Sequence, residues 1–237
     1  SGGEVTAKSL AVGAEDEGSI VAVAGALAGQ WGSTVALAAG VSVAVNEIGT
    51  ATDRGSVKAT VDGATISLTG GDLTVTATNA AAITSWTIAG TGQVAKADAT
   101  AVGLAGAGAG NTNRLTVDTS ALITGNAAVT TDRHVTVSAT DTSKVDSNAG
   151  GAGLGVTLGQ AATVGVTVGA AKSVVSIENK TQAAIESGVV TAGGDVTVAA
   201  TSNQRIEALA FGVGVNVAVA GGGGGVSAAG SGAASTV

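Results

Sequence analysis

The sequence predicts an all-β chain that folds as a parallel β-solenoid, and three observations lead to this prediction. Runs such as Val41-Ser42-Val43-Ala44-Val45 alternate with a period of two residues and are rich in β-branched side chains, which is typical of strands. The chain also resembles itself at a spacing of about 60 residues. Finally, its 237 residues include 39 Gly and no Pro. Pro has no N–H, whereas nearly every N–H of an inner coil donates to a neighbouring coil.

The internal repeat is clearest in three segments in which a polar corner is followed by a strand. Asp72, His134 and Asp195 occupy the same position and are separated by 62 and 61 residues, and an aliphatic residue follows each of them after 11 positions. We therefore predict one continuous array over residues 1–237, with repeats at about 3–70, 71–132, 133–193 and 194–237, the last one truncated. The matching segments are Gly71-Asp72-Leu73-Thr74-Val75-Thr76-Ala77, Arg133-His134-Val135-Thr136-Val137-Ser138-Ala139 and Gly194-Asp195-Val196-Thr197-Val198-Ala199-Ala200.

Small side chains set the expected cross-section of the solenoid. Ala, Gly, Val and Thr fill nearly two-thirds of the positions, so the interior is expected to be thin and each repeat to form two or three coils of about 20 to 30 residues. A β-sandwich is the alternative fold. Polar or Gly-containing breaks are expected to form the corners; they cover residues 46–55, 70–72, 110–114, 131–133, 141–151, 172–180 and 192–195.

Composition excludes several classes of protein. The chain has no Cys, so it forms no disulfide scaffold and no cysteine metal site. A net charge of −7 without a basic patch argues against nucleic-acid binding. The apolar stretches at 18–46, 147–171 and 208–237 alternate and are interrupted by Gly, so we predict no transmembrane segment. The first residues lack the features of a signal peptide, and we expect an excised or processed product.

Candidate chemical residues are few. His134 is the single histidine, and because it takes the place of Asp72 and Asp195 it is interpreted as a corner residue rather than a catalytic base. The acidic run Glu15-Asp16-Glu17 could bind Ca²⁺, but a solvated loop explains it better. Gly70-Gly71-Asp72 and Gly193-Gly194-Asp195 lack the nine-residue spacing of calcium β-rolls and are predicted to be turns.

The remaining motifs also point to structural roles. The glycine run 221–225 is not followed by the Lys-Ser/Thr of a phosphate loop. Thr74, Thr76, Thr136 and Thr197 suggest an ice-binding face, but we expect other coils to lie between these copies. Trp31, Trp86 and Phe211 do not share a repeat position and are expected to cap or plug local cavities. We therefore assign no catalytic, cofactor-binding or metal-binding residue, no cofactor and no enzymatic activity.

Units of the form Gly-Asp-Val-Thr-Val-x-Ala, together with strands such as Val41-Ser42-Val43-Ala44-Val45-Asn46, resemble the repeat regions of large secreted bacterial adhesins. These are the filamentous-haemagglutinin-like and autotransporter-type exoproteins, and the resemblance covers essentially the whole chain. It implies a right-handed parallel β-helix stalk, exposure on the cell surface, and a role in adhesion or fibre formation.

The expected function is that of a structural or adhesive extracellular filament or stalk without chemistry of its own. Its expected partners are further copies or neighbouring repeats, and a host or neighbouring cell surface; its expected location is extracellular or on the cell surface. The alternative is a solenoid binding module that holds carbohydrate, calcium or ice on one face. A polysaccharide-cleaving enzyme is disfavoured, because glycosidic cleavage needs paired carboxylates and the acidic residues lie mainly in predicted corners.

Overall fold

In the computed structural model, which describes residues 2–237, the chain winds through five parallel sheets in a fixed order and then returns to the first. One passage through the five sheets is one coil. The described residues form strands and irregular connections without a helix, and none of them forms a helix long and apolar enough to span a membrane. The all-β fold with a parallel solenoid arrangement is therefore confirmed.

Nineteen strands make up four coils in the described part of the chain. The first coil contains β1 (Glu4–Ala7), β2 (Leu10–Asp16), β3 (Ser19–Gly32), β4 (Val35–Ile48) and β5 (Gly55–Asp62). The second contains β6 (Thr65–Leu68), β7 (Leu73–Asn79), β8 (Ala82–Ala97), β9 (Ala101–Leu115) and β10 (Val117–Thr124). The third contains β11 (Ala128–Thr131), β12 (Val135–Asp141), β13 (Lys144–Gly159), β14 (Thr163–Ile177) and β15 (Lys180–Ile185). The fourth contains β16 (Val189–Ala192), β17 (Val196–Ser202), β18 (Arg205–Ala220) and β19 (Gly225–Thr236).

Equivalent strands of successive coils pair in parallel, which gives five sheets numbered here in the order of the coil. Sheet I consists of β1, β6, β11 and β16, sheet II of β2, β7, β12 and β17, and sheet III of β3, β8, β13 and β18. Sheet IV consists of β4, β9, β14 and β19, and sheet V of β5, β10 and β15. Sheets I, II and V have short strands, whereas the strands of III and IV reach 16 and 15 residues.

The pairing register shows that one sequence repeat is one coil. Leu73 pairs with Val135, and Val135 pairs with Val196, so neighbouring strands are offset by 62 and 61 residues, the spacing of the sequence repeat. The expectation of two or three narrow coils per repeat is therefore wrong. The coil is instead wide and has two parts, a body and a fin.

The body is the hydrophobic core enclosed by sheets I, II and V and by the adjoining ends of sheets III and IV. Alternate residues of each strand point inward, and large aliphatic side chains fill the centre, because the body is wide enough to hold them. The fully buried ones include Leu73, Ile83, Leu115 and Ile123. At both ends of the described chain the same inward positions are partly open, as at Val12 in the first coil and Ile206 in the fourth.

The fin consists of the long parts of sheets III and IV that extend beyond the body and pack directly against each other. Its interior holds small alanine clusters, such as Ala89, Ala107 and Ala149, instead of large side chains. The two backbones approach so closely that a β-carbon added at Gly169 would lie 2.7 Å from the carbonyl oxygen of Gly151. The abundance of Ala and Gly is thus explained by contact between two sheets.

Three of the segments predicted to be corners lie mainly in strands, so the prediction is wrong there. Residues 110–114 lie within β9, most of 141–151 lies in β12 and β13, and most of 172–180 lies in β14. The inward polar side chains of these segments, such as Asn111, Asn113 and Ser147, remain buried because they bond to one another across the coils. The predicted corners at 70–72, 131–133 and 192–195 are confirmed as connections between sheets I and II, and the break at 46–55 contains a connection between sheets IV and V.

Candidate functional site

His134 lies at the corner between sheets I and II, beside the two residues that the repeat aligned with it. Its backbone N–H donates to Oδ1 of Asp72 at 3.0 Å, and its Nδ1 accepts the N–H of Asp195 at 2.9 Å. The same Nδ1 lies 3.7 Å from the carboxylate of Asp195. Through its backbone N–H and its side chain together, His134 therefore joins the corners of three successive coils.

The acidic run, interpreted from the sequence as a loop, has Glu15 and Asp16 in β2 and only Glu17 in the connection to β3, whereas the glycine motifs lie at connections. Asp16 ends β2, and its Oδ1 accepts the N–H of Gly18 at 2.9 Å. Gly70 has a φ of 91°, a left-handed conformation that glycine adopts without strain, as the turn between β6 and β7 requires. Within residues 2–237, no three histidine or acidic side chains lie close enough together to hold a metal ion.

Asp141 is a buried charge that the sequence did not single out. Its Oδ1 accepts hydrogen bonds from Asn79 Nδ2 and the N–H of Ser143, and its Oδ2 accepts from Asn179 Nδ2 at 2.9 Å and Gln204 Nε2 at 2.7 Å. Burial alone would raise the pKa of Asp141, but the hydrogen bonds from Asn179, Gln204 and Ser143 outweigh it, so its pKa lies below the ordinary value. The carboxylate connects coils within the body.

A second polar cluster separates the body core from the fin. Asn113 is fully buried; its Nδ2 donates to Ser85 at 2.8 Å, to Asn111 at 2.9 Å and to Ser147 at 2.7 Å, and its Oδ1 accepts from Asn46 at 2.8 Å. These partners come from three coils. The network satisfies polar groups that would otherwise be costly to bury, and it explains why polar segments continue as strands.

The outer surface of the fin is the most unusual feature of the molecule. On sheet III the outward positions carry large apolar side chains in all four strands, and all three aromatic residues of the chain lie there. Trp31, Trp86 and Phe211 are 75%, 49% and 48% exposed, so the expectation that they plug cavities is wrong. We call this surface the aromatic face. It comprises Val21, Val23, Leu27, Trp31, Trp86, Ile88, Val94, Leu154, Val156, Leu158, Leu209, Phe211, Val213, Val215, Val217 and Val219.

Glycines on the outer surface form shallow apolar troughs between these larger side chains. On the aromatic face a trough of about 260 Å³ lies over Gly92 and is bordered by Leu154 and by Leu27, which covers Gly90. On the opposite side of the fin, a trough of about 370 Å³ lies over Gly106 between Leu37 and Leu104. Both are open and apolar, and each has room for an aliphatic side chain from a second surface.

The fin interior contains unpartnered hydroxyl groups. The Oγ1 atoms of Thr87, Thr91, Thr157 and Thr167 are buried without a hydrogen-bond partner. A buried hydroxyl without a partner is destabilising, by about 1 to 3 kcal/mol in mutational data. The fin is thus apolar outside and partly polar inside, the reverse of an ordinary soluble sheet pair.

Sheet II presents a different outer surface, made of hydroxyl side chains. Thr74 pairs with Thr136 and Thr136 with Thr197, so these residues lie on adjacent strands, and the expectation that other coils separate them is wrong. Partly exposed hydroxyl residues continue along β7 and β12. The set on these two strands is Thr74, Thr76, Thr78, Thr136, Ser138 and Thr140.

Comparison of the chain with models of protein families, with curated proteins and with solved structures finds no match. The resemblance to the repeats of bacterial adhesins therefore stays a prediction. Three features bear on function: the parallel stacking of the coils, the hydroxyl surface of sheet II and the outer surface of the fin.

Proposed function

We propose that this chain is a structural and adhesive element of an extracellular filament or stalk, built by stacking coil upon coil. One observation carries the proposal: all five sheets run in parallel register along one axis, so the first and fourth coils present unpaired strand edges to the next unit. Open edges of this kind are templates for pairing with another chain.

The hydrophobic core supports the same proposal. Val198 occupies the inward position that Val137 occupies in the coil below, but Val137 is fully buried whereas Val198 is 45% exposed. Another coil placed on β17 would cover Val198 in the same way. The contact would bury apolar surface and complete backbone hydrogen bonds together, which favours end-to-end growth.

The net charge of −7 and the absence of Cys suit an extracellular filament. A net charge away from zero favours solubility, and a chain without thiols forms no incorrect disulfides in an oxidising compartment. We accordingly place the filament outside the cell or on its surface, where it contacts a host or neighbouring cell.

The test uses a pair of lysine substitutions on one strand. Val198→Lys puts a charge on the open end of the core, whereas Thr197→Lys puts it on the outer surface of sheet II. At rising protein concentration, electron microscopy and sedimentation should show rods for the unmodified chain and for Thr197→Lys, but short particles for Val198→Lys. Circular dichroism checks that both variants fold. A single molar mass at every concentration for all three proteins would overturn the proposal.

A second candidate function is ice binding through the hydroxyl surface of sheet II. It is favoured by the direct pairing of Thr74, Thr136 and Thr197, which places methyl and hydroxyl groups in a regular array with spacings of about 4.8 Å across strands and about 6.7 Å along them. Inhibition of ice recrystallisation tests it. The unmodified chain should inhibit growth and Thr136→Lys should not, whereas equal growth with either protein and with buffer would rule this function out.

A further inference from the structure

We propose that the aromatic face of the fin binds the same face of a second copy of this chain, so that two coil stacks associate side by side. This contact differs from the end-to-end stacking proposed above, because it uses the outside of sheet III and no strand edge. It extends the proposed filament function but does not depend on it.

The aromatic face is almost entirely apolar. Twenty outward positions lie between the row of Trp86 and the row of Val94 on the four strands of sheet III, and within the described residues Asn148 is the only polar side chain among them. Aromatic residues are enriched at protein interfaces, and this face holds all three in the chain. A sugar-binding surface would need several polar groups beside the rings, and among these twenty positions of the described strands Asn148, next to Trp86, is the single one.

The aromatic face is also large enough to form a stable interface with a second copy. The stretch from Leu209 to Val219 covers 11 residues, so the face measures about 36 Å along the strands and about 19 Å across four of them, or about 700 Å². A monomer rarely exposes an apolar patch above about 600 Å². Two such faces in contact would bury about 1,400 Å², which lies within the size of a stable, specific interface.

The shape of the aromatic face suits contact with the same face of a second copy. The face alternates protruding side chains with glycine troughs; the trough of about 260 Å³ over Gly92 lies next to Leu154, which is 57% exposed. When two copies meet across a two-fold axis, each patch contacts the same patch, and the protrusions of one can enter the troughs of the other. Sheets packed in this way lie about 10 Å apart.

A lipid bilayer fits the fin less well. The loop that connects β8 to β9 forms the end of the fin farthest from the body and would enter the bilayer first. This loop contains Lys96 and Asp98, and its irregular backbone would lose its partners in water. The copy of the chain is therefore the occupant that the observations favour.

Single cysteines in this cysteine-free chain test the contact. Ala152 lies in the middle of the face, paired with Gly90 and Val213, and its substitution Ala152→Cys should give a covalent dimer with a bis-maleimide of about 10 Å span. Thr130→Cys on the outside of sheet I should stay monomeric. In an end-to-end stack, residues 152 of successive copies are about 19 Å apart, four coils, and do not cross-link. The cross-link at residue 152 therefore tests side-by-side contact alone, and the filament proposal can fail or hold independently of it.

Three outcomes would overturn the assignment. One is equal cross-linking of Ala152→Cys and Thr130→Cys. Another is cross-linking through Ala170→Cys, on the outside of sheet IV, in place of Ala152→Cys. The last is flotation of the chain with phosphatidylcholine vesicles as a monomer. As an independent readout, sedimentation equilibrium should show that Leu154→Lys weakens dimerisation at least tenfold, whereas Thr130→Lys leaves it unchanged.

Discussion

The ring of Phe211 occupies the space above Gly150 on the neighbouring strand of sheet III. A β-carbon added at Gly150 would collide with the ring, coming within 2.7 Å of Cε1. Leu27 covers Gly90 in the same way, within 2.7 Å at Cδ2. On the outer surface of the fin, glycines therefore receive the large side chains of adjacent coils, which compensates for the packing that a glycine in a strand lacks.

The glycines at 150 and 151 are expected to respond differently to the same substitution. Gly150 lies outside, where Phe211 is half exposed and can rotate away, so Gly150→Ala should lower the free energy of unfolding by about 1 kcal/mol. Gly151 lies inside, and its added methyl group would meet the backbone carbonyl of Ala170 on sheet IV. Gly151→Ala should cost about 3 kcal/mol or more.

Urea unfolding followed by circular dichroism measures both values. In the background of Phe211→Ala, the cost of Gly150→Ala should disappear while that of Gly151→Ala remains. Equal costs for the two substitutions would mean that the sheets of the fin are not in backbone contact.

Acid should destabilise the fold through Asp141. Its folded-state pKa lies below the unfolded value of about 3.9, so the unfolded chain takes up the proton first. The stabilisation by this carboxylate is therefore fully present above that pH and is lost as the pH falls through the folded-state pKa. Urea midpoints from pH 7 down to pH 2 should record the loss.

Asp141→Asn should remove that part of the acid dependence and lower stability at pH 7 by about 2 to 3 kcal/mol, because an amide N–H₂ would face the donors of Asn179 or Asn79. Asp195→Asn is the control, since the Asp195 side chain is 91% exposed. A parallel pH profile for Asp141→Asn and the unmodified chain would show that the carboxylate is not ionised in the folded protein.

The polar network at the base of the fin should be sensitive to loss of one amide. Asn113→Ala leaves Asn46 Nδ2 without its acceptor and removes the two N–H donors that Ser85, Asn111 and Ser147 share, and we expect a loss of about 2 to 3 kcal/mol. Thr112→Ala, on the exposed side of the same strand, should change stability by less than about 0.5 kcal/mol. Similar unfolding midpoints for these two variants would contradict the role given to the network.

Tryptophan fluorescence should report the outer surface of the fin. Trp31 and Trp86 are exposed, so dilute protein should emit at long wavelength and be readily quenched by acrylamide. As the concentration rises, pairing through the aromatic face should shift the emission to shorter wavelength and reduce quenching. The variant Leu154→Lys should keep the dilute-state spectrum at every concentration. A dilute protein with blue-shifted, protected tryptophans would place these rings in the interior.

Much of the fold could be predicted because strand alternation and the repeat are both visible in the sequence. The size of the coil could not, since a period of two identifies strands but does not say which strands share a sheet. The common spacing of Ile83, Val145 and Ile206 held the answer: they lie side by side on β8, β13 and β18. When successive repeats stack directly on one another, paired residues on neighbouring strands are separated in sequence by one repeat length.

The surfaces were harder to predict than the core. Asn111, Asn113 and Ser147 look like corner residues in the sequence, but their mutual hydrogen bonds satisfy them inside the strands. The aromatic residues occupy different repeat positions, and the pairing register is needed to place Trp86 and Phe211 on one face, because it aligns Phe211 with Ile88, two residues after Trp86. That placement follows from the small interior of the fin, which excludes rings and leaves only the outside for them.

The wide coil also fixes how much protein a given length of filament requires. Each turn uses 62 residues, as the pairing of Leu73 with Val135 shows, and advances the axis by only about 4.8 Å. A single stack therefore has a linear density of about 12 kDa per nanometre, and a filament of 100 nm needs roughly 13,000 residues. Two stacks joined through their fins would weigh about 24 kDa per nanometre. Mass-per-length measurement on individual filaments would thus count the stacks directly.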